Sequence, residues 1–223
     1  MESTLLVLQG LVTKMIISTL KYLYDLADTL DRNSTVVQVA CGSGGEGRQF
    51  ARQNFKSVDY VDITRDYLKP VDYTTTTNIK FTQLDIESSA FADYVKPFDI
   101  VLYTGHLMFA INPAKILADI FASNAKHLFI SAVSIDQLEK DEAEVTQPNL
   151  FPRTQIANGR YSAYSPTDGS IVVNVPNISW TKKTLTDNGF TIQNFTRNNV
   201  WTPDDNHGYM GIYAVDYFIY ATR

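Results

Sequence analysis

The sequence predicts an α/β protein built on a mainly parallel sheet, and three observations carry that prediction. The stretch VVQVACGSGGEG (36–47) runs apolar residues into a turn with glycines at 42, 44, 45 and 47. That is the pattern of a buried strand, a tight loop and a helix N-terminus. From there to residue 133, apolar segments alternate with segments of helical spacing, as βα units require. At 223 residues, with 44% hydrophobic and 19% charged residues, the chain suits one domain, 1–223, with a substantial core.

Each element follows in turn. Leu8, Leu11, Val12, Met15, Ile16, Leu20, Leu23, Ala27 and Leu30 recur at helical spacing, which predicts an amphipathic N-terminal helix, part of a flank over 1–32. Strands are predicted at Val36–Ala40, Ser57–Ile63, Asn78–Leu84, Phe98–Tyr103 and His127–Val133. Helices are predicted at Glu46–Asn54 and Pro113–Ser123, with Ile116, Leu117, Ile120 and Phe121 on one face of the second. Asp66–Tyr73 reads as a short helix or turn. From 135 to 170 the chain turns polar, with prolines at 148, 152 and 166. Such a long excursion is read as a functional lid or insertion. Ile171–Val175 reads as a short strand within this region, and Ser179–Asn188 as a helix that Gly189 ends. Phe190–Phe195 and Ala214–Ala221 are the last strands, joined by a loop over 196–213.

Charge and cysteine content exclude several functions. A formal charge of −5 with scattered Lys and Arg speaks against a nucleic-acid partner. The single cysteine, Cys41, rules out a disulfide framework and favours a cytoplasmic setting. Beside a glycine turn it reads as a small buried residue rather than a nucleophile. The N-terminus has no basic segment or small-residue cleavage site of a signal peptide. Leu5–Leu20 is broken by Gln9 and Lys14, so no membrane span is expected.

The glycine loop admits two cofactor classes. Gly42, Gly44 and Gly47 satisfy G-x-G-x-x-G, and Asp62 follows Gly42 by twenty residues at the end of the next strand. A carboxylate there can accept from both hydroxyls of a ribose, which serves NAD and S-adenosylmethionine (SAM) equally. Asp85 falls just past the third strand, where its carboxylate and the Ile86 N–H can read an adenine edge.

These segments together resemble the class I SAM-dependent methyltransferase family over Asn33–Arg223. VVQVACGSG is similar to that family's first motif, YVDITRDYL to its ribose-binding second and FTQLDIE to its adenine-binding third. FDIVLYTGHLMFAINP is similar to the fourth, and ISWTKKTLTDNGFTIQNF to the closing helix and GF strand. The resemblance implies a Rossmann-like seven-stranded sheet, order 3-2-1-4-5-7-6 with strand 7 antiparallel and helices on both faces. It implies SAM held by Ala40, Cys41, Gly42, Ser43, Gly44, Asp62, Ile63, Asp85, Ile86 and Thr104. Two positions depart from the pattern. Gln38 stands where the family often has an acid, and Ala40 stands in place of its first glycine. Within this resemblance, Gly47 is read as a helix residue that happens to complete the dinucleotide pattern.

Methyl transfer to a hydroxyl gains from a general base, and histidine suits that role near neutral pH. His106 follows the fourth strand on the ligand side, and His207 lies in the last long loop. Asp136 follows the fifth strand, as a base or, with Asp204 or Asp205, as a ligand for a divalent ion; a metal is not assigned. His127 begins a strand at the far edge and reads as structural. Tyr161, Tyr164, Trp201, Tyr209 and Tyr213 offer aromatic faces with polar tips, which suit a sugar or another small acceptor. The expected activity is O-methylation of a small molecule, a sugar or glycan by preference. N-methylation of a small amine or protein side chain, a non-catalytic SAM-binding subunit and an NAD oxidoreductase are the alternatives.

Overall fold

Strand β1 (Thr35–Val39) forms the centre of the sheet: it is rich in valine, and Val36–Val39 are buried on both faces. The computed structural model describes residues 22–66, 78–107, 110, 112–134, 149–150, 174–175, 178–201 and 214–223. Beside β1 lie β2 (Ser57–Asp62), β3 (Ile79–Gln83), β4 (Ile100–Thr104) and β5 (His127–Ser134), all parallel to it. A two-residue pair, β6 (Asn149–Leu150) with β7 (Asn174–Val175), stands apart. Strand β8 (Thr191–Trp201) and the final strand β9 (Ala214–Thr222) complete the main sheet. The order is β3-β2-β1-β4-β5-β9-β8, with β9 antiparallel to both neighbours. Counting main-sheet strands alone, this is 3-2-1-4-5-7-6, as expected.

Helices cover both faces. Residues 22–27 are helical (α1), and Leu23 and Ala27 are fully buried. With α2 (Gly45–Arg52) they pack on Val36, Val58, Tyr60, Ile100, Leu102 and Phe129. The described part of the N-terminal helix thus lies on the flank of the sheet. On the opposite face, α3 (Ala90–Val95), α4 (Pro113–Phe121) and α5 (Ile178–Asp187) close over Val37, Val61, Val101, Tyr103 and Ile130. Alternate residues along each strand supply the two cores, as the period of a pleated strand requires.

Local chemistry sets the helix ends. Asn112 caps α4 by accepting from the Lys115 N–H at 3.1 Å, and Pro113 follows at the first helical position. Gly189 ends α5 with φ of 81°, and Phe190 N–H bonds back to the Leu185 carbonyl.

Three expectations need correction. Helix α3 was not expected; six residues are too few for an apolar period to stand out. Strand β8 runs to Trp201 rather than Phe195, because pairing with β9 continues past a register shift between Arg197 and Val200. The short strand expected over 171–175 is β7, reduced to Asn174–Val175. The turn expected over 66–73, and most of the 135–170 excursion, lie outside the described residues.

The ends of the sheet differ. At the N-terminal ends of β1, β4 and β5, Asp99 Oδ2 accepts from the Thr35 N–H and hydroxyl, each at 3.0 Å. Its Oδ1 accepts from Lys126 Nζ at 2.9 Å. Burial alone would raise the Asp99 pKa, but these bonds from Thr35 and Lys126 outweigh it and hold the carboxyl below 3.8. His127, also at this end, bonds Tyr220 Oη through Nδ1 at 2.9 Å, which is a structural role. The opposite, C-terminal ends carry the glycine loop, where a ligand binds in such sheets.

Gly47 is a further correction, since it is required where it stands. A Cβ there would lie 2.6 Å from Tyr60 Cε1 and 2.9 Å from Gln38 Oε1, and both neighbours are buried. We expect Gly47→Ala to destabilise the chain by about 1–3 kcal/mol through overpacking, measured by urea denaturation. An unchanged midpoint would show that α2 can lift off β2 at no cost.

Candidate functional site

The loop from β1 to α2 is shaped by left-handed backbone. Ala40, Gly42 and Gly44 have φ of 49°, 48° and 72°, and Gly44 is the N-cap of α2. Cys41 N–H bonds the Val61 carbonyl at 3.1 Å, and Gly44 N–H bonds the Cys41 carbonyl at 2.7 Å. Ala40 fits the turn only at a cost, because a Cβ disfavours the left-handed region. We expect Ala40→Gly to stabilise the fold by about 1 kcal/mol, after allowing for the greater freedom of glycine in the unfolded chain. A thermal melt checks the sign.

Asp62, at the end of β2, holds this loop. Its Oδ2 accepts from the Gly42 N–H at 2.9 Å and its Oδ1 from the Thr64 N–H at 3.3 Å. The side chain is buried. The loop is therefore not an open cradle for phosphate: a carboxylate of the protein already occupies the Gly42 donor. Ile63 follows, 49% exposed, and is the one large exposed hydrophobic among the described residues.

Asp85 lies two residues past β3 and is exposed. Its Oδ1 accepts from the Glu87 N–H at 2.8 Å, and its carbonyl accepts from Ser88 Oγ at 2.6 Å, which fixes the turn that carries Ile86. Ile86 itself is buried. Thr104 ends β4, and its Oγ1 is buried with no hydrogen-bond partner among the described residues. Gly105, with φ of 77°, turns the chain there, and a Cβ on it would meet nothing within 4 Å.

His106 comes next. Its Nδ1 is 3.5 Å from Tyr103 Oη, and Tyr103 is fully buried. Burial lowers the His106 pKa below 6.5, although Asp62 and Asp85 pull it upward. His106 thus lies within the electrostatic reach of Asp62, at the end of β2, and Asp85, just past β3, while burial favours its neutral form. Cys41 is buried, and its thiol is pushed up to about 12, first by desolvation and then by Asp62. It is no nucleophile.

Of the residues expected to form the site, the structure brings together Ala40 to Gly44, Asp62, Ile63, Asp85, Ile86, Thr104 and His106 at one end of the sheet. Asp136 and His207 lie outside the described residues. No group of three or more His, Cys, Asp or Glu able to hold a metal occurs among the described residues. Gln38 and Glu46 were not expected in the site. Gln38 Nε2 donates to Glu46 Oε2 at 2.7 Å, a contact that helix α2 makes by folding back on β1.

The arrangement fits SAM. Exposed Ile63 offers an apolar face for a base, and the unpaired Thr104 hydroxyl offers a polar contact. Asp62, Asp85 and Glu46 make the rim negative, which suits a cationic cofactor and opposes a pyrophosphate. Arg48, the nearest cation of the loop, is turned onto the Ser43 and Gly44 carbonyls.

Comparison with known proteins agrees. Residues 37–123 match the family described as "Methyltransferase domain". Magnesium protoporphyrin IX methyltransferase from Synechocystis PCC 6803, with bound SAH, aligns at a TM-score of 0.62 and 14% identity, over 97% of this chain and 86% of that one. A Bacillus halodurans C-125 protein described as a "putative methyltransferase" aligns at 0.61 and 19% identity, over 92% and 98% of the two chains. The N-terminal domain of EvdMO1 with SAH bound aligns at 0.61 and 15% identity, over 90% and 80%. No curated protein matches the chain in sequence. The family match over 37–123 and the strand order support a SAM-dependent methyltransferase, with S-adenosylmethionine as its cofactor.

Proposed function

We propose that the chain transfers a methyl group from SAM to a hydroxyl of a small molecule, with a sugar or glycan as the preferred acceptor. Asp62 would hold the ribose, Asp85 and Ile86 the adenine edge, Ile63 the base face, and Ala40 to Gly44 with Thr104 the remainder. The bound cofactor supplies a methyl group on a sulfonium, which needs an acceptor oxygen in line and little solvent.

The observation that carries the reading is His106: a half-buried imidazole two residues past β4, whose desolvation favours the neutral form against the pull of Asp62 and Asp85. Such a group takes the proton of an acceptor hydroxyl as its oxygen gains the methyl. Tyr103 Oη lies 3.5 Å from the His106 Nδ1, which orients the ring. His207, in the loop before the last strand, and Asp136, after the fifth strand, are further candidates for the same role. One structural neighbour, EvdMO1, was crystallised in the presence of SAH and D-fucose, which supports a sugar acceptor. The net charge of −5 supports a partner that is not a nucleic acid. No helix among the described residues is long and apolar enough to cross a membrane, and the lone cysteine supports a cytoplasmic setting.

The test is transfer of labelled methyl from SAM to a panel of sugars, phenols and amines, with the new linkage read by mass spectrometry. O-methyl products support the reading; N-methyl products alone replace it with amine methylation, and no product with bound SAM points to a non-catalytic subunit. His106→Ala should leave the SAH dissociation constant within about threefold and lower kcat by about 10²–10⁴. Because the His106 pKa is lowered, the acid limb of the wild-type rate should fall at lower pH than an ordinary imidazole would give. A variant with the wild-type rate and pH profile would remove His106 from the reaction.

A further inference from the structure

The glutamine near the end of β1 has only one orientation open to its amide. Gln38 is 1% exposed. Its Oε1 accepts from the Gly47 N–H at 2.9 Å, which assigns the oxygen and leaves Nε2 as the donor. Nε2 donates to Glu46 Oε2 at 2.7 Å and lies 3.5 Å from the Cys41 carbonyl. The short bond to a carboxylate marks a charge-assisted contact. Glu46 is thereby held against the glycine loop, half-buried.

Nothing basic answers that carboxylate among the described residues, whose ion pairs all lie elsewhere. A first-turn glutamate complements the helix dipole, but that role needs no particular partner. Here a buried glutamine, with both ends of its amide engaged, fixes the side chain in one place.

With the nucleoside held by Asp62, Ile63 and Asp85, at or just past the ends of β2 and β3, the amino-acid end of the cofactor would pass Ala40–Gly44 toward the start of α2, where Glu46 stands.

We propose that Glu46 receives the ammonium of the amino-acid end of SAM, held in place by Gln38, and so selects for an amino-acid-bearing nucleoside. The inference rests on the SAM reading of the site. The charge expected on the strand, and missing at Gln38, is supplied from the helix instead.

The test is calorimetric titration of the full chain with three probes: SAH, its deaminated analogue and 5′-methylthioadenosine. Wild type should prefer SAH to the deaminated analogue by about ten- to a hundredfold, the range of one hydrogen bond to a charged group. Glu46→Gln should lose that preference while binding the deaminated analogue and methylthioadenosine as wild type does. Equal wild-type affinity for SAH and the deaminated analogue overturns the inference. So does a Glu46→Gln variant that keeps the preference, or one that loses all three ligands together. A wild-type chain that binds none of the three defeats the SAM reading, and this inference with it.

Discussion

One hydrogen bond orders the working end of this molecule: the Asp62 carboxylate accepting from the Gly42 N–H at 2.9 Å. It ties the β1–α2 loop to β2 and places a buried negative charge under the glycines. Gly44 can then cap α2 in the left-handed region, and α2 presses onto β2 closely enough that Gly47 must lack a side chain. The same carboxylate spends the loop's Gly42 donor on the protein itself. A glycine loop that elsewhere receives phosphate becomes, here, a negative rim that suits a cation.

The rest of the sheet keeps that rim in place. Asp99 binds Thr35 and Lys126 at the opposite end and fastens β1, β4 and β5 where no ligand comes. Two apolar layers fill the faces between the ends. The C-terminal ends are left to polar groups with incomplete partners, of which the buried Thr104 hydroxyl is the plainest. Stability thus concentrates at one end of the strands and binding at the other, as in other sheets of this kind.

Much of this was legible in the sequence, for physical reasons that differ by element. Val36–Val39 announced itself because a central strand is apolar on both faces. The Asn112–Pro113 start and the Gly189 stop carried their own chemistry in the residue types. The positions of Asp62, Ile63, Asp85 and His106 were readable because each stands at a strand end or within two residues past one. Other features depend on side chains that meet only after folding. Gln38 and Glu46 are eight residues apart in sequence and join because α2 turns back over β1. The need for Gly47 comes from Tyr60, on another strand. Helix α3 was too short for a period, and the far half of β8, with Arg197 and Asn198, is too polar to read as a strand.

The central claim is that this loop, with Asp62 beneath it, holds a cationic adenosyl cofactor rather than a dinucleotide. Calorimetric titration of the chain with SAM and, in parallel, with NADH tests it most directly. The account predicts saturable one-to-one binding of SAM and no detectable heat from NADH. Saturable binding of NADH with none of SAM would contradict it.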